Sequence, residues 1–154
     1  MKSTKDIPIL VSACLLGTPC RYDGQSRGVD LSHLTAIPGV RIIPVCPECD
    51  GGLPTPRIPA ERVGDKVVSR EGTDVTVAYR LGAEKALATA KREGCRFALL
   101  KERSPSCGST CIYDGTFTGK LITGRGVCCE TLENAGISVF SEETLAALIA
   151  EIQK

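Results

Sequence analysis

The sequence predicts a three-layer α/β domain, Rossmann-like, in which helices cover both faces of a mostly parallel sheet. Two observations lead to this prediction. Short apolar runs typical of strands alternate with segments of helical periodicity, and the runs are continuously apolar instead of alternating with polar residues. Strands that are covered on both faces have this continuous pattern. The 154 residues, of which 42% are hydrophobic, suffice for one core, so we expect a single domain over residues 1–154.

The strands are predicted from the apolar runs and their flanking turns. They fall at residues 7–13, 40–45, 95–101 and 137–140. Pro44 interrupts the second run and, because proline lacks an amide hydrogen, it indicates either a strand at the edge of the sheet or irregular pairing there. Gly64 and Asp65 predict the turn of a small hairpin over 62–69. The proline- and glycine-rich segment 51–61 predicts an extended connector that is too short to separate two domains.

The helices are predicted from apolar spacing and from residues suited to their ends. The longest covers 74–93, with Asp74 able to cap its start and Gly94 suited to the left-handed residue after its end. A second helix is expected over 126–135. A last helix follows Ser141, whose hydroxyl is a favourable cap.

Charge and composition argue against several classes of partner. The 19 basic and 18 acidic residues leave a net charge of +1, and aromatic residues make up 4% of the chain. These values do not favour a nucleic-acid partner. No apolar run approaches the roughly 18 residues of a membrane span, and the first residues do not resemble a secretion signal. We therefore expect a cytoplasmic protein, and the sequence does not indicate its oligomeric state.

Nine cysteines are unusual for such a protein, and an odd number does not describe a disulfide framework. Three of them, Cys14, Cys46 and Cys107, follow the ends of predicted strands, the first two at once and Cys107 after five intervening residues. In open α/β sheets ligands bind outside the carboxyl ends of the strands, so these thiols are expected to be neighbours. Thiolates select zinc, copper(I) or iron–sulfur clusters. Held by three cysteines, a four-iron cluster would keep one iron open to a substrate.

Other interpretations of the cysteines remain open from spacing alone. The pairs Cys46/Cys49 and Cys107/Cys111 also suit a closed zinc site, which would make the protein a zinc-stabilised binding domain. Cys46 and Cys49 could instead form the redox dithiol of a thiol oxidoreductase. Cys20 could lie near the same site, whereas Cys95 is expected in the core.

Polar residues near the three cysteines are candidates for catalysis and substrate binding. Glu48, Ser104 and Ser106 could move protons and position water beside an open metal. Two Tyr-Asp-Gly triplets also follow predicted ligands and could contribute hydrogen bonds from above the pocket; they hold Tyr22, Asp23, Tyr113 and Asp114. Lys101 and Arg57 could add positive charge.

Taken together, these residues resemble the DUF523 family, some of whose members are 2-thiouracil desulfidases. The matching stretches, in order along nearly the whole chain, are "VSACLLGTPCRYDG", "VCPE..GGLPTPR", "LLKERSPSCGS..IYDGTF.G" and "GRGV...TLENAGI.VFSE". The resemblance implies a [4Fe-4S] cluster held by Cys14, Cys46 and Cys107, with the fourth iron unbound by protein. It also implies a catalytic acid, here Glu48, and a catalytic serine, for which Ser104 is favoured over Ser106.

The activity implied by the resemblance is hydrolytic and not redox. The thiocarbonyl sulfur of a small-molecule thiolated base, such as 2-thiouracil, binds the open iron, water attacks the carbon, and sulfur departs as sulfide. In this family the positions of Cys49 and Cys111 are taken to be variable, which weakens the zinc interpretation. The sequence identifies neither the physiological substrate nor the fate of the sulfur.

Overall fold

The computed structural model describes residues 6–18, 22–24 and 28–154. In chain order its elements are β1 (Ile7–Ser12), a 3₁₀ turn (Ala13–Leu16), α1 (Ser32–Thr35), β2 (Val40–Val45), α2 (Pro47–Asp50), β3 (Ala60–Val63), β4 (Lys66–Ser69), α3 (Thr76–Glu93), β5 (Phe97–Leu100), β6 (Cys111–Tyr113), β7 (Leu121–Thr123), α4 (Val127–Asn134), β8 (Ser138–Ser141), a second 3₁₀ turn (Glu142–Thr144) and α5 (Leu145–Ile152). None of the helices in these ranges is both long and apolar enough to cross a membrane.

Four of the strands form one parallel sheet in the order β2-β1-β5-β8. Strand β1 is central and pairs with both β2 and β5, for example through Ile9, which lies opposite Ile42 on one side and Phe97 on the other. The chain thus leaves β1 toward one edge and later returns to its other side, which makes the carboxyl ends of β1 and β5 a topological switch point. This sheet confirms the predicted fold class, and β2 is an edge strand, the first of the two alternatives that Pro44 indicated.

Helices cover both faces of the sheet, so the predicted three layers are present. On one face α3 and α4 pack against residues such as Leu10 and Leu100. On the other face α1 and α5 pack against Ile9, Val11 and Leu99. Neighbouring residues of β1 point to opposite faces and are all buried, which explains why its sequence is continuously apolar.

The predicted helix over 74–93 occurs at Thr76–Glu93. The Asp74 carboxylate accepts a hydrogen bond from the Thr76 N–H at 2.9 Å, just before the helix begins. Gly94 ends the helix with a φ of 74°, the left-handed conformation that the sequence predicted. Ser141 also acts as a cap, but of the short 3₁₀ turn that leads into α5.

The short elements were predicted only in part from the sequence. The hairpin of β3 and β4 begins earlier than predicted, because Ala60 already pairs with Ser69. A second hairpin joins β6 and β7, and α1 and α2 each have four residues. Strands of three residues and helices of one turn are too short to leave a periodic pattern in the sequence.

Candidate functional site

A cavity of about 690 Å³ lies at the carboxyl ends of the parallel strands. Its wall includes Ser12, the last residue of β1, and Glu142, which directly follows β8. Three of the cysteines also line it: Cys14, Cys46 and Cys107. These three are the cysteines that the sequence placed after strands, and among the described residues no other cysteine lines the cavity. The topology therefore brings three thiols from distant parts of the chain to one chamber.

The position of Cys46 depends on a close contact between α2 and α3. Cys46 lies between the end of β2 and the start of α2, and the carbonyl of Pro47 in α2 rests against Gly82 of α3. A Cβ atom at Gly82 would lie 1.8 Å from the Pro47 oxygen. Glycine is therefore required at this crossing, which fixes the turn that carries Cys46.

The position of Cys107 depends on the first turn of α4. The carbonyls of Pro105 and Ser106 accept hydrogen bonds from N–H groups of that turn, at 2.8 Å from Val127 and 2.7 Å from Cys128. These groups otherwise have no partner within a helix. The Cys107 loop thus caps α4 and is held rigidly by it.

Ser106 itself faces the interior of the protein. Its side chain is fully buried, does not line the cavity, and its Oγ has no hydrogen-bond partner among the described residues. Ser104 lines the cavity. Of the two candidate serines, the structure therefore brings only Ser104 to the chamber.

Glu102 is a buried carboxylate that organises the loop of residues 103–110. It is 1% exposed and accepts hydrogen bonds from the Ser109 and Thr110 N–H groups at 2.9 and 3.0 Å and from the Ser109 hydroxyl at 2.8 Å. Burial alone would raise the pKa of Glu102, but these donors outweigh burial and lower it to about 2. This role was not predicted from the sequence, where the available signal was a carboxylate between a buried strand and a serine-rich loop.

Glu48 is held inside the cavity by two partners. Its carboxylate forms an ion pair with the Arg57 guanidinium, and the side chains are 14% and 6% exposed. The Ser104 hydroxyl donates to Glu48 Oε1 at 3.4 Å. The Ser104 oxygen in turn accepts from the N–H groups of Ser106 and Cys107, both at 3.1 Å. These two amides orient the Ser104 hydroxyl so that its proton points toward Glu48.

Tyr79 is a further residue of the site that was not singled out from the sequence. It lines the cavity from α3 and is 3% exposed. Burial, and secondly the negative charge of Glu48, raise the pKa of Tyr79, so its hydroxyl stays protonated. It adds a hydrogen-bond donor to the wall beside Glu48.

The Cys107 thiol lies in an environment that opposes ionisation in the absence of a metal. Burial raises its pKa to about 12, and the nearby Glu48 and Cys14 act in the same direction against a hydrogen bond from Ser12. Thiols coordinate metals as thiolates, so a metal bound here would displace the proton.

Only part of the predicted substrate-binding set reaches the cavity. Tyr22 and Tyr113 line it, whereas Asp23 and Asp114 are not among the described residues of its wall. The Asp114 carboxylate instead accepts from the Thr116 N–H at 2.9 Å and from the Thr116 hydroxyl at 2.6 Å. These bonds close the turn after β6, so this Asp-Gly pair forms a turn.

Of the four cysteines in the zinc alternative, Cys49 and Cys111 are not among the described residues that line the cavity. The Cys49 sulfur contacts the Thr55 hydroxyl at 3.2 Å outside the cavity wall, and Cys111 lies in β6. Within residues 6–18, 22–24 and 28–154, no three His, Cys, Asp or Glu side chains are grouped so that they could hold a metal ion. The zinc alternative needs four thiols on one ion, and the positions of Cys49 and Cys111 do not favour it. Cys20 lies outside the described residues, and Cys95 is buried as predicted.

Comparisons with known proteins identify the family of this chain. The family model for 2-thiouracil desulfurase matches residues 9–144. The uncharacterized protein YbbK of Bacillus subtilis (strain 168) is 45% identical, over 89% of this chain and 97% of its own length. The solved structure of TudS (DUF523Vcz), a [4Fe-4S]-dependent thiouracil desulfidase, superposes with a TM-score of 0.91 at 51% identity, covering 96% of this chain and 99% of that one. The chain belongs to the 2-thiouracil desulfurase family.

Proposed function

We propose that this protein is an iron–sulfur-dependent desulfidase that hydrolyses the C–S bond of a thiolated nucleobase, such as 2-thiouracil, without redox chemistry. One observation carries the proposal: Cys14, Cys46 and Cys107 line a single cavity together with Glu48 and Ser104. Family membership and the likeness to a [4Fe-4S]-dependent thiouracil desulfidase support it.

The donor set of the cavity fits a [4Fe-4S] cluster. Three thiols are present, and thiolates are the usual ligands of such clusters. A cluster spreads its ligands over several irons, so its cysteines need not converge on one ion as those of a zinc site must. Cys14, Cys46 and Cys107 would hold it. When bound, the cluster would supply a thiophilic iron without a protein ligand, a Lewis acid that would polarise the C–S bond of a thione.

Glu48 is the proposed general base. Its carboxylate would accept a proton from the water that attacks the thiocarbonyl carbon, while the ion pair with Arg57 holds it in place inside the cavity. Ser104 orients the carboxylate and the water, since its proton points toward Glu48 Oε1. The carbon gains a C–O bond and loses its C–S bond, so a thione and water give a carbonyl and hydrogen sulfide. No electron acceptor is required.

The test uses protein purified and assayed without oxygen. The wild type should release one sulfide and one uracil for each 2-thiouracil consumed, with no added oxidant or reductant. The variant Glu48→Gln should keep its iron and its visible absorbance but turn over roughly 10²–10⁴-fold more slowly, the usual contribution of a positioned base. Glu84→Gln, on the exposed surface of α3, is the matched control and should behave as wild type. Full activity in Glu48→Gln would remove Glu48 from the mechanism, and absence of sulfide release by the wild type would refute the function.

A further inference from the structure

Phe117 has an unusual backbone conformation for a large side chain. Its φ is 58°, a left-handed value that costs free energy in any residue with a Cβ and is rare for bulky ones. Burial does not offset that cost, because the ring is partly exposed and belongs to neither core cluster of the protein. Strained residues of this kind persist where the surrounding structure enforces them, often at ligand-binding positions.

Glu61 enforces the conformation. This carboxylate of β3 is 9% exposed, and its Oε1 accepts from the Phe117 N–H at 3.1 Å and from the Gly115 N–H at 2.9 Å. Gly115 packs so closely on β3 that a Cβ there would lie 2.5 Å from Val63 Cγ2. The turn between β6 and β7 is therefore fastened to the β3–β4 hairpin, with Phe117 at its tip.

Phe117 lines the same cavity as Cys107 and Glu48. The Arg70 guanidinium carbon lies 5.9 Å from the ring centroid, also at the cavity wall, and Tyr113 contributes a second aromatic side chain. The cavity is thus lined by the aromatic residues Phe117 and Tyr113 as well as by the three cysteines and Glu48. A planar ring bound at the thiols would be within the same chamber as these aromatic faces.

We propose that Phe117 is a specificity-determining residue that stacks on the planar face of the thiolated base. The inference rests on the proposed function for the identity of the ring. Stacking on an aromatic side chain does not depend on the hydrogen-bonding edge of a base, because every base has a π face. Phe117 therefore selects flat heteroaromatic rings as a class, and Glu61 acts as its positioning residue.

The experiment compares iron-loaded wild type with Phe117→Ala, Phe117→Gly and Phe117→Tyr, using the KM for 2-thiouracil and the Kd of the product uracil from calorimetry. Base–aromatic stacking changes affinity by between about 5- and 150-fold. Because the Phe117 ring is partly exposed, we expect its removal to weaken affinity by about tenfold. Both KM and Kd should rise by that factor in the Ala and Gly variants. The kcat should stay within about twofold of wild type, because stacking binds the substrate and the transition state equally. Phe117→Tyr should resemble wild type. Thr118→Ala, in the same turn but not on the cavity wall, is the control.

Thermal unfolding separates stacking from packing. Phe117→Gly removes the strain of the positive φ, so its Tm should not fall below that of Phe117→Ala. A Gly variant as unstable as a core truncation, or unchanged KM and Kd in both small variants, would overturn the inference while leaving the function intact. Wild type that binds uracil through Phe117 but releases no sulfide would refute the function and support the stacking. Absence of both turnover and uracil binding in the wild type would overturn both.

Discussion

The buried carboxylate of Glu102 offers the most quantitative prediction. Its usual pKa of 4.5 falls to about 2 in the folded protein, because the donors on the loop of residues 103–110 stabilise the charged form. Each pKa unit corresponds to about 1.4 kcal/mol, so ionised Glu102 contributes about 3 kcal/mol to stability at neutral pH. Since the folded pKa is depressed, the contribution is complete above pH 4.5 and is lost as pH falls toward 2. About 2 kcal/mol of it is gone by pH 3.

Glu102→Gln keeps one acceptor oxygen but loses the charge. We expect the variant to lose about 2–3 kcal/mol at pH 7 and to be correspondingly less sensitive to pH between 4.5 and 3. In a domain of this size that loss lowers Tm by about 5–10 °C. Because the loop carries Ser104 and Cys107, iron binding should weaken as well.

The assay is urea unfolding of the metal-free protein followed by circular dichroism from pH 7 to pH 3. Glu151→Gln, an exposed carboxylate on α5 whose side chain is 44% exposed, is the control and should change stability by less than about 0.5 kcal/mol. If Glu102→Gln matched wild type at pH 7 and kept the same acid sensitivity, the assignment of the loop's stability to this carboxylate would be refuted.

Two further predictions concern the partners of the site. Ser106→Ala removes a buried hydroxyl that has no partner in the described structure. The stability of this variant should equal that of wild type or exceed it by up to about 1 kcal/mol, with activity unchanged. Ser104→Ala should instead lower kcat, and equal losses of kcat in both variants would contradict the choice of Ser104 as the serine of the site. Arg57→Gln leaves Glu48 largely buried without its ion-pair partner and should cost about 3 kcal/mol in urea unfolding. The double variant Arg57→Gln/Glu48→Gln should recover part of that cost, and simple additivity of the two changes would argue against the coupling.

The sheet and the three cavity cysteines could be predicted from the sequence because local patterns encode them. A strand buried on both faces is continuously apolar, as in Ile7–Ser12, and the topology of parallel strands brings their carboxyl ends to one edge. The residues after those strands, Cys14, Cys46 and Cys107, therefore met in one cavity. The short hairpin of β6 and β7 was missed because its strands have three residues each.

Roles set by tertiary hydrogen bonds could not be predicted in this way. In the sequence, Glu102 and Glu61 look like ordinary charged residues. Their role depends on backbone N–H groups that only the folded structure brings to them. Tyr79 fits the apolar spacing of a helix, so its position beside Glu48 was hidden by its burial. Ser104 and Ser106 flank the same proline, and it is the capping of α4 that turns Ser106 inward.

The count of protein sulfurs that hold the metal centre tests the central claim most directly. Iron and acid-labile sulfide should be measured after reconstitution without oxygen in wild type and in single Cys→Ala variants. We expect about four irons and four sulfides per wild-type chain, loss of the cluster in the Cys14, Cys46 and Cys107 variants, and full retention in the Cys49 and Cys111 variants. Loss of iron on removing Cys49 or Cys111, or one zinc in place of the cluster, would contradict this claim.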